Sequence, residues 1–265
     1  MVSEDIPLLT EMSDEEIKNV KLIVFDVDGV IIPTGTDLKE NDDGTEFWMK
    51  THKLSDNFIK NIIELKKYVR VAFSSGRNFL YLRSLVKDFF DESIIVQSEN
   101  AAITFIDSKM SHPVYPKGYF ETMFKLKNLI LKNKKALKLE GFEPKIFNFA
   151  VHTEEEVDLI YELVKSVDND GMLYCIWTGE AYDIGLKGIT KGWGVAEIAK
   201  KMNITPNQII TTGNALNDKE MLEFGIGVTM RPDRVSGKYK CSGGDGLGGE
   251  ELAEFLVKKF RELRN

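Results

Sequence analysis

Two carboxylates, Asp26 and Asp28, stand directly after four apolar residues in the stretch LIVFDVDGVI at 22–31. Spaced two apart in extended chain they would share a face, and like charges held that close repel. A divalent cation would relieve the repulsion, which is one chemistry this spacing serves. A turn capping a strand is the other, because Asp and Gly are favoured in turns. Further chemistry-bearing residues recur at matching places. Ser75 and Gly76 follow the short β-rich run 69–73, Lys191 opens a helical pattern, and Gly213, Asn214, Asn217 and Asp218 follow the run 208–211. Carboxylates and amide oxygens suit a hard cation such as magnesium. A hydroxyl, a lysine and the N–H groups around Gly76 suit a phosphate.

The elements that must position these residues can be read from periodicity. Residues 22–25 are apolar and partly β-branched, the pattern of a buried strand. Helical spacing over 55–67, with Phe58, Ile62, Ile63 and Leu65 apolar, leads to a second strand at 69–73 and completes a β-α-β unit. A helix over 78–90 and a strand at 94–97 come next, the latter running into Ser98, Glu99 and Asn100. From 101 to 186 the pattern changes to helix 118–132, strand 145–152, helix 153–167 and strands 172–178 and 182–186, an α+β module with an antiparallel sheet. Alternation then resumes with helix 191–202, strand 208–211, helix 217–224, strand 225–230 and a C-terminal helix 250–263. Leu252, Phe255, Leu256 and Phe260 share one face of that last helix. The expectation is an α/β protein in which a parallel-sheet core, residues 1–103 plus 186–265, is interrupted by an inserted domain at 104–185. Ligands of open parallel sheets sit outside the carboxyl ends of the strands, so the residues named above share one site.

Three stretches lie outside that alternation. Residues 1–20 are a polar lead-in with a short helix near 14–20. Residues 33–53 carry an Asn41-Asp42-Asp43-Gly44 cluster between two pairable runs, which predicts a β-hairpin projecting from the end of the first strand over the carboxylates. The Gly-rich stretch 242–249 lacks a strand-to-helix phosphate fingerprint and is assigned a structural role.

Composition sets the boundaries of function. Over 265 residues, 43% hydrophobic and 29% charged content describes a soluble globular protein with room for a large core. A formal net charge of −7 argues against a surface built for nucleic acid or anionic membrane. The acidic start lacks a basic leader, and no run approaches the roughly eighteen apolar residues of a membrane span, so a cytoplasmic location is expected. Cys175 and Cys241, two thiols far apart, fit a reducing compartment and structural roles. His52, His112 and His152 are not at ligand spacing. Trp177 and Tyr182 are read as core aromatics, with a substrate contact as the alternative.

Taken in order, VFDVDGV at 24–30, FSSGR at 73–77, GITKG at 188–192 and TGNALND at 212–218 resemble the four motifs of the haloacid dehalogenase superfamily of aspartate-based phosphotransferases. The resemblance implies a Rossmann-like core and, from the insertion, a large cap of the kind found in Cof-like, sucrose-phosphate and trehalose-phosphate phosphatases. It implies Asp26 as nucleophile, forming an aspartyl-phosphate, and Asp28 as acid and then base. Ser75, Gly76, Lys191 and Asn217 would bind the phosphoryl group, while Asp26, Asp28, Asn214 and Asp218 would hold Mg2+. The substrate implied is a small phosphorylated metabolite, with a sugar phosphate favoured by the cap type. The chain departs from the family at Asn214, where an aspartate is usual, so the metal site is one negative charge short unless Asp218 compensates. That departure keeps a non-catalytic binding protein as an alternative, and a phosphosugar mutase shares the chemistry. The hairpin at 34–53 also resembles the assembly hairpin of octulosonate-phosphate phosphatases, which leaves homo-oligomerisation open.

Overall fold

The computed structural model describes residues 6–41, 44–179, 181–242 and 247–264. The first five residues of the expected lead-in, positions 42 and 43 of the turn cluster and 243–246 of the Gly-rich stretch lie outside the described residues. In chain order, α1 (Asp14–Asn19) precedes β1 (Leu22–Phe25), β2 (Asp37–Glu40), β3 (Phe47–Lys50), α2 (Asp56–Leu65), β4 (Arg70–Ser74) and α3 (Phe79–Leu85). Next come β5 (Ile94–Ser98), β6 (Ile103–Ile106), β7 (Lys109–Ser111), α4 (Tyr119–Lys132), β8 (Leu139–Phe142) and β9 (Phe149–Thr153). The chain continues through α5 (Asp158–Val167), β10 (Leu173–Trp177), β11 (Ala181–Leu186) and α6 (Lys191–Met202). It closes with β12 (Ile209–Gly213), α7 (Lys219–Phe224), β13 (Ile226–Thr229), β14 (Tyr239–Lys240) and α8 (Gly248–Arg264).

These elements form two units. The first takes the chain up to Thr36, His52–His112 and everything from Thr190 onward. Its sheet has the order β14-β13-β12-β1-β4-β5-β6-β7, parallel from β14 to β5 and antiparallel at β6 and β7. The central strand β1 is wholly buried because both of its faces are covered, which is why it reads as an unbroken apolar run. Leu22 and Val24 pack with Ala72 and Ile95 of the sheet and with Val195, Ile198 and Met221 from α6 and α7. By alternation Phe25 points the other way, edge-on to the Phe58 ring of α2 and stacked on Phe73. Burying one such ring contributes about 1.5–3 kcal/mol. Helix α8 lies along α2, with Phe260 stacked on Tyr68 and Glu250 accepting hydrogen bonds from Ser55 and Asn57.

The second unit is Asp37–Thr51 with Pro113–Ile189. Its antiparallel sheet runs β10-β11-β9-β8-β2-β3. Tyr119, Met123, Leu126 and Ile130 recur at helical spacing on α4 and bury one stripe against Phe142, Val151, Leu173, Tyr182 and Ile184 of the sheet, joined by Ile160 and Val164 of α5.

Both the mixed α/β class and the parallel core agree with expectation, but the division of the chain differs from 104–185. Strand β6 pairs antiparallel with β5 and β7 with β6, which extends the core sheet, so the larger segment of the second unit begins at Pro113. The β2–β3 hairpin is not an appendage of the core. Glu40 pairs with Phe142 of β8 and Lys39 meets Glu140 at 2.9 Å, which makes the hairpin the edge of the second sheet. Helix α5 starts later than expected because Thr153 finishes β9 and its hydroxyl donates to the Glu155 carbonyl, holding 154–156 in a turn.

Candidate active site

The first unit gathers its polar residues at the carboxyl ends of β1, β4 and β12. Asp26 is the first residue past β1. Its N–H donates to the Thr212 hydroxyl at 3.1 Å, and that hydroxyl donates to the Val24 carbonyl at 3.3 Å, so the ends of β1 and β12 are tied together. Lys191, the first residue of α6, is 2% exposed and is delivered to the same place by a helix start capped at Thr190, whose hydroxyl accepts from Trp193 N–H. Lys191 Nζ lies 2.6 Å from Asp26 Oδ1 and 2.6 Å from Asp218 Oδ1. Asp218 is fully buried, and its Oδ2 accepts from the N–H groups of Asn214 and Ala215. Gly213 makes this possible: a Cβ there would sit 2.4 Å from that of Asp218.

Electrostatics follow from the burial. Burial pushes the Asp26 carboxyl well above the usual carboxylate range, the Asp218 charge pushes it further, and Lys191 with the Val27 N–H pulls the other way. Burial would lower the Lys191 ammonium, but two carboxylates outweigh it and raise it. With both carboxylates ionised, one buried ammonium faces two negative charges, an arrangement that a divalent cation would complete.

The donor set suits a hard cation: the Asp26 carboxylate, the backbone carbonyl of Asp28 and the buried amide of Asn214 are all oxygen donors. Asp218, expected as a further ligand, has both oxygens engaged by Lys191 and two backbone amides. Among the described residues no three His, Cys, Asp or Glu side chains form a metal-binding group.

Past β4, Ser75 is 2% exposed and its hydroxyl accepts from Arg77 N–H at 3.2 Å. A left-handed turn braces this loop. Glu99, Asn100 and Ala101 have φ of 53°, 55° and 73°, and the N–H groups of Glu99 and Asn100 donate to the carbonyls of Arg77 and Ser75. Gly76 packs over Asn100, leaving only 3.3 Å from a Cβ position to Asn100 Oδ1. Arg77 in turn reaches Asp28, Nε to Oδ2 at 3.1 Å. Asn217, expected at the phosphate, is exposed on the short 3-10 turn Leu216–Asp218 and is not drawn into the buried set. Thr212 and the 99–101 turn escape sequence reading. The only signal for the turn is an asparagine, the residue after glycine that best tolerates left-handed backbone. The two cysteines are free, and burial raises both thiols, Cys175 to about 12.

A carboxylate at the end of a central parallel strand, held by a lysine that opens the helix leading into β12, stands where doubly wound α/β proteins bind their ligands. The model of the haloacid dehalogenase-like hydrolases matches residues 117–235. The phosphoglycolate phosphatase of Methanopyrus kandleri is 22% identical over 91% of this chain and 98% of its own length. That of Picrophilus torridus is 27% identical over 83% of this chain and 82% of its own. The C-terminal domain of trehalose-6-phosphate phosphatase from C. albicans superposes with a TM-score of 0.66 at 14% identity, over 95% of this chain and 97% of that domain. Over residues 117–235 the chain is thus similar to the haloacid dehalogenase-like hydrolases, and the relatives it matches along most of their length carry the name of phosphatases.

Proposed function

We propose that this protein is a magnesium-dependent phosphatase that hydrolyses a small phosphorylated metabolite, a sugar phosphate being the favoured class, through an aspartyl-phosphate on Asp26. The observation that carries this is the buried chain Asp26–Lys191–Asp218, with 2.6 Å at each contact. Lys191 has three N–H donors, of which two go to carboxylates, so one remains for a phosphoryl oxygen. Ser75 Oγ already accepts from Arg77 N–H, which leaves its own proton to donate to the same group. Asp26 attacks phosphorus as the bond to the leaving oxygen breaks, and Asp28 gives that oxygen a proton. Asp28 then takes a proton from the water that attacks phosphorus, and the bond to Asp26 breaks to release phosphate. The cation supplies charge that offsets repulsion between the carboxylate and the phosphate dianion. Names of the curated relatives, phosphoglycolate phosphatases, support the reaction type.

A panel of phosphorylated sugars, polyols and hydroxy acids, assayed for free phosphate with and without chelator, tests the proposal. The expected result is release that needs a divalent cation and is abolished in Asp26→Asn with folding intact. Release surviving complete chelation, or transfer of phosphate within the sugar without release to water, contradicts it.

A further inference from the structure

We propose that Arg77 is a positioning residue for proton transfer: it holds Asp28 by one carboxylate oxygen and leaves the other to carry the proton. The inference rests on the phosphatase reading above and assigns a role within it. Arg77 Nε donates to Asp28 Oδ2 at 3.1 Å, whereas Nη2 lies 3.5 Å from Oδ1, at the limit of a hydrogen bond, and is shared with the Thr36 carbonyl at 3.2 Å. The fork is therefore anchored on backbone at one tine and grips Oδ2 with the other. Oδ1 is the loosely held oxygen.

The guanidinium is itself fixed. Its side chain is 11% exposed, its backbone N–H donates to Ser75 Oγ, and its carbonyl accepts from Glu99 of the left-handed turn. Asp28 is different. It sits before Gly29, whose φ is 74°, and its side chain is 22% exposed. A carboxylate at such a turn rotates freely unless something holds it, and a planar guanidinium fixes both its position and its plane. Proton transfer requires the carboxyl within hydrogen-bond reach of the leaving oxygen, so an error in this plane costs rate only where a proton must be delivered. In the first half-reaction the proton leaves Asp28 Oδ1 for the leaving oxygen as its bond to phosphorus breaks. In the second, Oδ1 accepts a proton from water as the water oxygen bonds phosphorus and the Asp26 oxygen departs.

Leaving-group dependence tests this. p-Nitrophenolate departs without a proton, and an alkoxide does not. Compared with the wild type, Arg77→Gln is expected to lose at least about tenfold more kcat/KM on an alkyl phosphate, glycerol 1-phosphate, than on p-nitrophenyl phosphate. Arg77→Lys, which keeps a cation for Oδ2, is expected to recover part of that difference, and it carries the test alone if Arg77→Gln does not fold. Equal losses on the two esters through a raised KM would make Arg77 a phosphate-binding group and overturn the proposal. Equal losses with a lowered melting temperature would make it structural and overturn it as well. A wild type that releases phosphate from no ester of the panel, these two included, refutes the phosphatase reading and this role together, whereas equal losses in a competent enzyme refute the role alone.

Discussion

At the scale of single residues, the site is a problem of charge. Asp26 and Asp218 share the buried Lys191, and Asn214 brings an oxygen but no charge. Replacing that amide by a carboxylate should act oppositely with and without metal. Asn214→Asp adds a buried negative charge, so in chelator the variant should melt lower than the wild type. With magnesium it should need less metal for half-maximal phosphate release, about tenfold less for each 1.4 kcal/mol of added attraction. A midpoint unchanged in a magnesium titration means position 214 does not touch the cation. Asp26 and Asp28 are legible in sequence because a strand covered on both faces announces itself as an apolar run, and the residues just past its end are thereby placed. The contact of Lys191 with Asp218 is not legible, since it depends on where helix α6 lands after the second unit has been traversed. Arg77 can be recognised as a partner for an acidic neighbour, but only geometry shows that the neighbour is Asp28.

At the scale of elements, close approach decides what the sequence can tolerate. Helix α6 crosses the left-handed turn so tightly that a Cβ at Gly194 would fall 2.2 Å from the Ala101 Cβ and 2.5 Å from Gln97 Nε2. Gly→Ala inside a helix ordinarily stabilises by about 1 kcal/mol. Here overpacking of about 1–3 kcal/mol or more should win, so Gly194→Ala is expected to lower the urea midpoint, and adding Ala101→Gly to restore much of it. An independent, additive effect of the two substitutions contradicts the packing account. Helix α1 makes a second case. Burial alone would raise the Glu16 carboxyl, but hydrogen bonds from Lys238, Ser13 and Tyr239 lower it to about 2 from the ordinary 4.5. A carboxylate with a lowered pKa in the folded state contributes stability that is complete above pH 4.5 and lost as pH falls toward 2. Because Lys238 is 57% exposed, water screens the pair and the contribution is about 1 kcal/mol. Glu16→Gln should thus melt lower at neutral pH, with the gap closing in acid; a gap that persists at pH 2 excludes ionisation as its cause. Long periodic helices such as α4 and α6 are legible because their apolar stripe repeats. Strands β6, β7, β8 and β14, each of two to four residues, are too short for any period to show.

At the scale of the whole molecule, an α/β core interrupted by an α+β module is visible in the change of pattern after β5, but its true outline is not. The hairpin β2–β3 precedes most of the first unit in sequence and still completes the second unit's sheet, a non-local pairing that no local periodicity encodes. No described helix is long and apolar enough to cross a membrane. The central claim is that the carboxylate at the end of β1 becomes covalently phosphorylated. Rapid acid quench during turnover of the best phosphate ester, then peptide mass mapping, tests it most directly. A phosphoryl group on the peptide bearing Asp26, absent from Asp26→Asn, is the predicted result; a phosphoryl group on another residue, or full turnover by Asp26→Asn, would contradict it.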